Sequence, residues 1–317
     1  MAYGYITELN DHIQRDHVKF HNRYNLTLAG DLYYPKNIDQ QQPLPALIVG
    51  APYGGVKEQG PAVYANELAQ RGFVVLTFDQ THMGDSAGEP RRVSSPGLFA
   101  ESFSAAVDYL GIQVPFVDRE KIRVIGICGS GGFSLAAAAV DTRIKAVATA
   151  SMYDITDIRG MMGLSKDQLD KMKDDLAQQR WEDYANGMPE YKPSFPTKPY
   201  PSVDALPKTD PITNEWQRFY AVPRGFHQNA RGNFTTTSNQ AMLQFSALDY
   251  IDEITPRPIL FIFGDRAHSR SFSERAYDMA NEPKEKYIVE DCEHIDLYDR
   301  VDKIPLAKLE SFFKQHL

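Results

Sequence analysis

A doubly wound α/β sheet, mostly parallel, with antiparallel N-terminal strands and a helical, irregular insertion is the fold this sequence predicts. Three observations carry that prediction. Short runs rich in β-branched and aromatic residues alternate with helical patterns over short connections, as when crossover helices join strands of a parallel sheet. The first two runs are joined instead by a polar turn, as in a hairpin. Between Asp154 and Asp252 there is no convincing strand.

The hairpin is Val18-Lys19-Phe20, a turn at Asn22 to Asn25, and Leu26 to Leu32, stopped by Pro35. Six further strands are predicted at Ala46–Val49, Phe73–Phe78, Ile122–Ile125, Ala146–Thr149, Ile259–Phe263 and Lys286–Val289. Each is short and apolar on both faces, as buried parallel strands are. Helical patterns occupy Ala62–Gln70, Leu98–Leu110, Gly132–Val140, Phe272–Ala280 and Ile304–His316. Residues 1–153 and 253–317 therefore read as one α/β core, and 154–252 as a lid over its site, since long connections of this kind usually carry function. The lid contains a charged helical stretch, Lys166 to Ala185, the proline-rich Pro189 to Pro211, and Trp216 to Tyr220.

The 317 residues carry 34 Lys+Arg against 42 Asp+Glu, a formal charge of −8. An acidic chain without a basic block argues against nucleic acid as a partner. Two cysteines, Cys128 and Cys292, are too few for a disulfide scaffold and suit a reducing, cytoplasmic setting. The opening residues MAYGYITELNDHIQRD lack the pattern of an export signal. Val124 to Val140 is free of charge, but C-G-S-G-G interrupts it, so a buried strand-turn-helix is expected rather than a membrane span.

The strongest chemical signal is KIRVIGICGSGG, Lys121 to Gly132. A strand entering a helix through a tight turn of small residues is a nucleophile elbow. The strand phase puts Cys128 at the elbow, between Gly126 and Ser130; the rival frame makes Ser130 the nucleophile. The base is expected at His294, after the last strand and before the closing helix. An oxyanion needs two backbone donors. Gly129 would be one and Tyr53 the other, because Pro52 has no N–H. Gly54 lies behind Tyr53, and Ser130 and His268 are expected around the substrate. The acid is left open between Asp265, since Ala267 stands three beyond Gly264, and Asp154, after the preceding strand.

These blocks resemble the α/β-hydrolases, and within them the dienelactone-hydrolase-like group, whose elbow accepts cysteine. The resemblance rests on the elbow, on VGAPYGGVKEQ (Val49 to Gln59), on FDQTHMGDSAGEPR (Phe78 to Arg91), on AHSRSFSE (Ala267 to Glu274) and on HIDLY (His294 to Tyr298). It implies a hydrolase of small esters, lactones or thioesters, acting through a covalent acyl-enzyme. A peptidase of the same fold and a non-catalytic ligand-binding homologue are the alternatives. No ligand spacing for a metal and no nucleotide-binding loop occurs in the sequence, so neither metal nor cofactor is expected. The expected partner is a small ester-type substrate, without membrane or nucleic acid; a homodimer stays open.

Overall fold

The computed structural model describes residues 4–39 and 42–316. Its strands are β1 (Ile13–His21), β2 (Thr27–Pro35), β3 (Leu44–Gly50), β4 (Val74–Phe78), β5 (Val117–Ile127), β6 (Ile144–Ala150), β7 (Ile259–Gly264) and β8 (Lys284–Val289). Among the described residues they form one sheet in the order β1-β2-β4-β3-β5-β6-β7-β8. β1 and β2 are the expected hairpin, in register from Ile13 opposite Pro35 to His21 opposite Thr27. β2 meets β4 antiparallel, and every pairing from β4 to β8 is parallel.

Alternation along the strands sends side chains to two cores. Ala46 and Ile48 of β3 face one with α2 (Pro96–Gln113), α3 (Gly129–Val140) and α8 (Arg270–Met279). Leu47 and Val49 face the other with α1 (Gly60–Ala69), α9 (Asp296–Asp299) and α10 (Leu306–Gln315). β8 departs from the expected burial on both faces. It is the edge strand, and Tyr287 and Ile288 are each 40% exposed. The charge-free run from Val124 resolves into the end of β5, a turn at Cys128 and α3. No helix among the described residues is long and apolar enough to cross a membrane.

Between β6 and β7 lie α4 (Ile158–Met162), α5 (Lys166–Asn186), α6 (Pro211–Tyr220) and α7 (Ser238–Leu243). α5 opens on a complete Ser165/Gln168 capping box and buries just Leu176. Its exposed faces carry Lys166–Asp170 and Lys171–Asp175 pairs at i,i+4, the spacing that supports a solvated helix. α6 is amphipathic. Asp210 caps it by accepting from the N–H groups of Ile212 and Thr213, Pro211 starts it, and Glu215, Phe219 and Tyr220 are buried.

Candidate active site

Cys128 sits between β5 and α3 with φ 54° and ψ −122°. A non-glycine residue in this region is strained, and the surrounding structure must hold it there. Its N–H donates to the Ala150 carbonyl at 2.9 Å, and its own carbonyl accepts from Gly131 and Tyr153 at 2.9 Å each. Gly126 has to be glycine, because a Cβ there would stand 2.3 Å from the Ser130 carbonyl oxygen. Ser130 points away from the thiol: its buried hydroxyl donates to the Ala51 carbonyl at 2.5 Å.

The N–H groups of Tyr53 and Gly129 both face the Cys128 sulfur, where they favour its thiolate. That close approach requires a bare Gly129, where a Cβ would come within 2.8 Å of Tyr53 Cβ. Tyr53 is fixed by its hydroxyl against Ser94 Oγ at 2.6 Å and by stacking on Phe234 at 4.0 Å between centroids. Gly54, at φ +81°, passes under the same Phe234 ring.

His294 is fully buried. Its Nδ1 lies 2.5 Å from Ser269 Oγ and its Nε2 lies 2.9 Å from the Tyr298 hydroxyl. The Tyr298 hydroxyl in turn faces the Cys128 sulfur and the Tyr220 hydroxyl. Thus Cys128 and His294 are joined through a phenol, and both imidazole nitrogens have partners other than a carboxylate.

Neither expected acid is seated there. Asp154 is buried and accepts from the Thr156 N–H at 3.1 Å and hydroxyl at 2.5 Å. Asp265 is exposed and accepts from the Cys292 N–H at 3.1 Å. After Gly264 the chain turns, with the Ala267 N–H donating back to the Gly264 carbonyl. It is Ser269, capping α8, that reaches the imidazole.

His268 stands beside His294, with ring centroids 4.7 Å apart. Its Nδ1 lies 2.8 Å from Glu215, whose other oxygen accepts the Ile295 N–H at 3.1 Å. Trp216 packs edge-on against His294 at 4.8 Å. Glu215, Trp216, Ser269, Tyr220 and Tyr298 thus complete a site whose predicted members were fewer. Ser269 and Tyr298 lay inside motifs already singled out, AHSRSFSE and HIDLY. For α6 the available signal was the i, i+4 spacing of Glu215 and Phe219 and of Trp216 and Tyr220 after an Asp-Pro start.

Burial sets the resting charges. It pushes the Cys128 thiol up, against the downward pull of Tyr298 and the two N–H groups. It holds His294 well below the usual imidazole range, with the His268 charge adding to the effect. Burial raises Tyr298 well above an ordinary phenol. Glu215 moves the other way: burial opposes its ionisation, but the bonds from His268 and Ile295 hold its carboxyl below the usual range. Cys128 and His294 therefore rest as a neutral thiol and a neutral imidazole.

The thiol opens on a cavity of about 350 Å³. Tyr53, Tyr153 and Ile155 form its floor, and Met161, Phe195, Ile212, Trp216, Tyr220, Gly232 and Phe234 enclose it from the segment between β6 and β7. None of these side chains is charged. Of the other aromatic residues of that segment, Phe219 packs into the core and Trp181 is 71% exposed.

The same loop that supplies Tyr53 carries a second buried polar cluster. Lys57 Nζ bonds Glu58, Asp79 at 3.1 Å and Asp85 at 2.8 Å. The three carboxylates lie close enough together to hold a cation, and the Lys57 ammonium is the cation they hold.

A family model described as X-Pro dipeptidyl-peptidase (S15 family) matches residues 25–230. Protein PA2218 of Pseudomonas aeruginosa is 45% identical over 98% of this chain and 82% of its own length. Its crystal structure superposes with a TM-score of 0.92 and 44% identity, covering 99% of this chain and 97% of that one. Escherichia coli YcjY is 31% identical over 95% of this chain and 98% of its own. The thiohydrolase aneE of Aspergillus aculeatus is 30% identical over 45% of this chain and 43% of its own. The likeness to dienelactone hydrolases remains a resemblance, whereas the sheet, the elbow and the family model over residues 25–230 make this chain an α/β-hydrolase belonging to the X-Pro dipeptidyl-peptidase (S15) family.

Proposed function

We propose that the protein hydrolyses an uncharged ester, lactone or thioester through an acyl-enzyme on Cys128. The observation that carries this reading is the convergence of the Tyr53 and Gly129 N–H groups on the Cys128 sulfur at the floor of an uncharged cavity. Donors placed at the nucleophile are placed to hold the oxyanion once sulfur has attacked the carbonyl. The proton of the thiol ends on His294, returns to the leaving group, and water then releases the acyl group by the reverse sequence. A thioester suits the site best, since the likeness to a thiohydrolase points the same way and thiol-to-thiol acyl exchange starts near balance. A cavity of about 350 Å³ lies within the range of small-molecule sites.

The family-model match favours a second reading, peptide cleavage. An N-terminal dipeptide brings an ammonium group that needs a carboxylate, and no cavity-lining side chain supplies one. The ligand-binding alternative predicts no acylation at all. A reducing cytoplasm, which keeps the thiol free, and action as a soluble enzyme without nucleic-acid or membrane partners complete the proposal; a homodimer is compatible with it.

The deciding measurement is hydrolysis of p-nitrophenyl esters and acyl-thioesters beside a dipeptide-amide panel. Cys128→Ala should lose at least about 10³-fold in kcat, the scale of a lost nucleophile, and Ser130→Ala should keep most activity. Loss in Ser130→Ala with activity retained in Cys128→Ala would reassign the nucleophile; preferred cleavage of dipeptide amides would replace the ester reading.

A further inference from the structure

We propose that Tyr298 is a catalytic residue that carries the proton between Cys128 and His294, with Tyr220 of α6 setting its orientation. The inference rests on Cys128 being the nucleophile, and adds to that reading the route by which the nucleophile is activated.

The Tyr298 hydroxyl has three polar neighbours: Nε2 of His294 at 2.9 Å, the Cys128 sulfur and the Tyr220 hydroxyl. A phenol has one proton and two lone pairs, so three neighbours can be satisfied in one way only if one of them is a pure acceptor. His294 meets that condition. In the tautomer with Nδ1–H directed at Ser269 Oγ, which the proposal assigns to the resting imidazole, Nε2 is an acceptor alone. In that tautomer the phenol proton points to Nε2, and the phenol lone pairs are left to the Cys128 S–H and the Tyr220 O–H.

That arrangement lays out a path for the proton. As sulfur attacks the acyl carbon, the S–H bond breaks and its proton moves to the Tyr298 oxygen. The O–H proton moves at the same time to Nε2. Sulfur gains the carbon bond, the carbonyl electrons settle on the oxyanion, and Tyr298 ends with as many protons as it began with. The imidazolium left behind is held through Nδ1 by Ser269. On collapse of the intermediate the imidazolium returns its Nε2 proton to the Tyr298 oxygen while the phenol proton passes to the leaving group, which departs neutral, so no co-reactant is needed. A direct Cys128–His294 transfer would have to displace the phenol, which is packed beside Trp216, Phe219 and Tyr220.

Tyr220 gives the relay a link to the substrate. It lies on α6, lines the cavity and bonds the phenol, so a bound acyl group touches the residue that orients the wire.

The test is a double-mutant cycle on the alkylation rate of Cys128 by iodoacetamide at pH 8, a reaction with no oxyanion. His294→Gln should slow alkylation about tenfold in the otherwise native chain and less than twofold in Tyr298→Phe, because the phenol is what connects base to thiol. Equal slowing in both backgrounds overturns the relay. If the wild-type protein hydrolyses a thioester, Tyr298→Phe should lower kcat about 10²-fold with KM little changed, the scale of general acid–base catalysis. Tyr220→Phe should lose a fewfold. A bowl-shaped dependence of wild-type kcat on the deuterium fraction of the solvent, reporting two protons in flight, supports the wire without any variant, and a straight line overturns it. Absence of hydrolysis by the wild type would remove the acyl-transfer reading, and the alkylation cycle would still judge the relay.

Discussion

The loop after β3 joins two buried polar networks built on opposite principles. Around Lys57, a buried ammonium meets Glu58, Asp79 and Asp85: its charge is paired with the exposed Asp85 carboxylate, while burial pushes the Glu58 and Asp79 carboxyls up. Around His294, burial keeps Cys128, Tyr298 and the imidazole neutral. The first network locks a loop: Asp79 also accepts the Lys57 N–H at 2.8 Å and the Asp85 N–H at 2.8 Å. The second runs from thiol through phenol to imidazole with none of the three charged, the nearest charge being the Glu215 carboxylate on His268. Buried ions have to be paired to be tolerated, and a site meant to generate ions transiently has to start without them.

Substitutions should separate the two networks by what they damage. The largest effect is expected at His294. His294→Gln should lower kcat about 10⁴-fold, as loss of a catalytic base does, while the melting temperature shifts little. A drop confined to tenfold would mean that the charged network or another histidine supplies the base. Lys57→Met should do the reverse. Leaving Glu58 and Asp79 buried without their cation costs about 3–5 kcal/mol, read as a fall in the urea midpoint, with per-molecule activity of the folded fraction changed a fewfold at most.

Ser269→Ala tests the outer end of the neutral line. It removes the partner of Nδ1 and should cost about tenfold in kcat, or 1.4 kcal/mol, with KM unchanged. An unaltered kcat would show that packing by Trp216 and His268 alone orients the ring.

The smallest effect concerns pH. Burial, helped by the Asp79 charge, pushes the Glu58 carboxyl up to about 8 against the pull of Lys57, and one of its oxygens has no partner among the described residues. A carboxyl with its folded value above its unfolded one binds its proton more tightly when folded. This contribution is complete below about 4.5 and is lost as the pH rises through about 8. Between pH 5 and pH 9 the wild-type melting temperature should therefore fall further than that of Glu58→Gln. Parallel curves would show that Lys57 keeps Glu58 ionised throughout.

Within the segment between β6 and β7, two helices show what periodicity makes legible. α5 reads as helix from its cap and its i,i+4 pairs, and it is one, but it buries one residue and reaches nothing catalytic. α6 is half as long, and its buried face supplies Glu215, Trp216 and Tyr220 to the imidazole and the phenol. The sequence marked Trp216 to Tyr220 as part of the lid. It did not mark it as support for the base, because that role depends on a partner about 75 residues away in the chain, a pairing that no local pattern encodes.

The sequence by itself determined the strands, their mostly parallel order and the elbow, since these follow from local signals. Short runs apolar on both faces define buried strands, and Gly126, Cys128 and Gly129 meet the steric demands of one tight turn. Tertiary structure alone decided the proton chemistry. Asp154 and Asp265 lie at plausible distances along the chain from their strands, yet the turn after β7 carries Asp265 outward and brings Ser269 to Nδ1. Tyr298 enters between sulfur and imidazole because the short helix Asp296–Asp299 places it there. Hydrogen-bond partners are set by positions good to a fraction of an ångström, and burial sets which of them carry charge; both arise only when distant segments have packed.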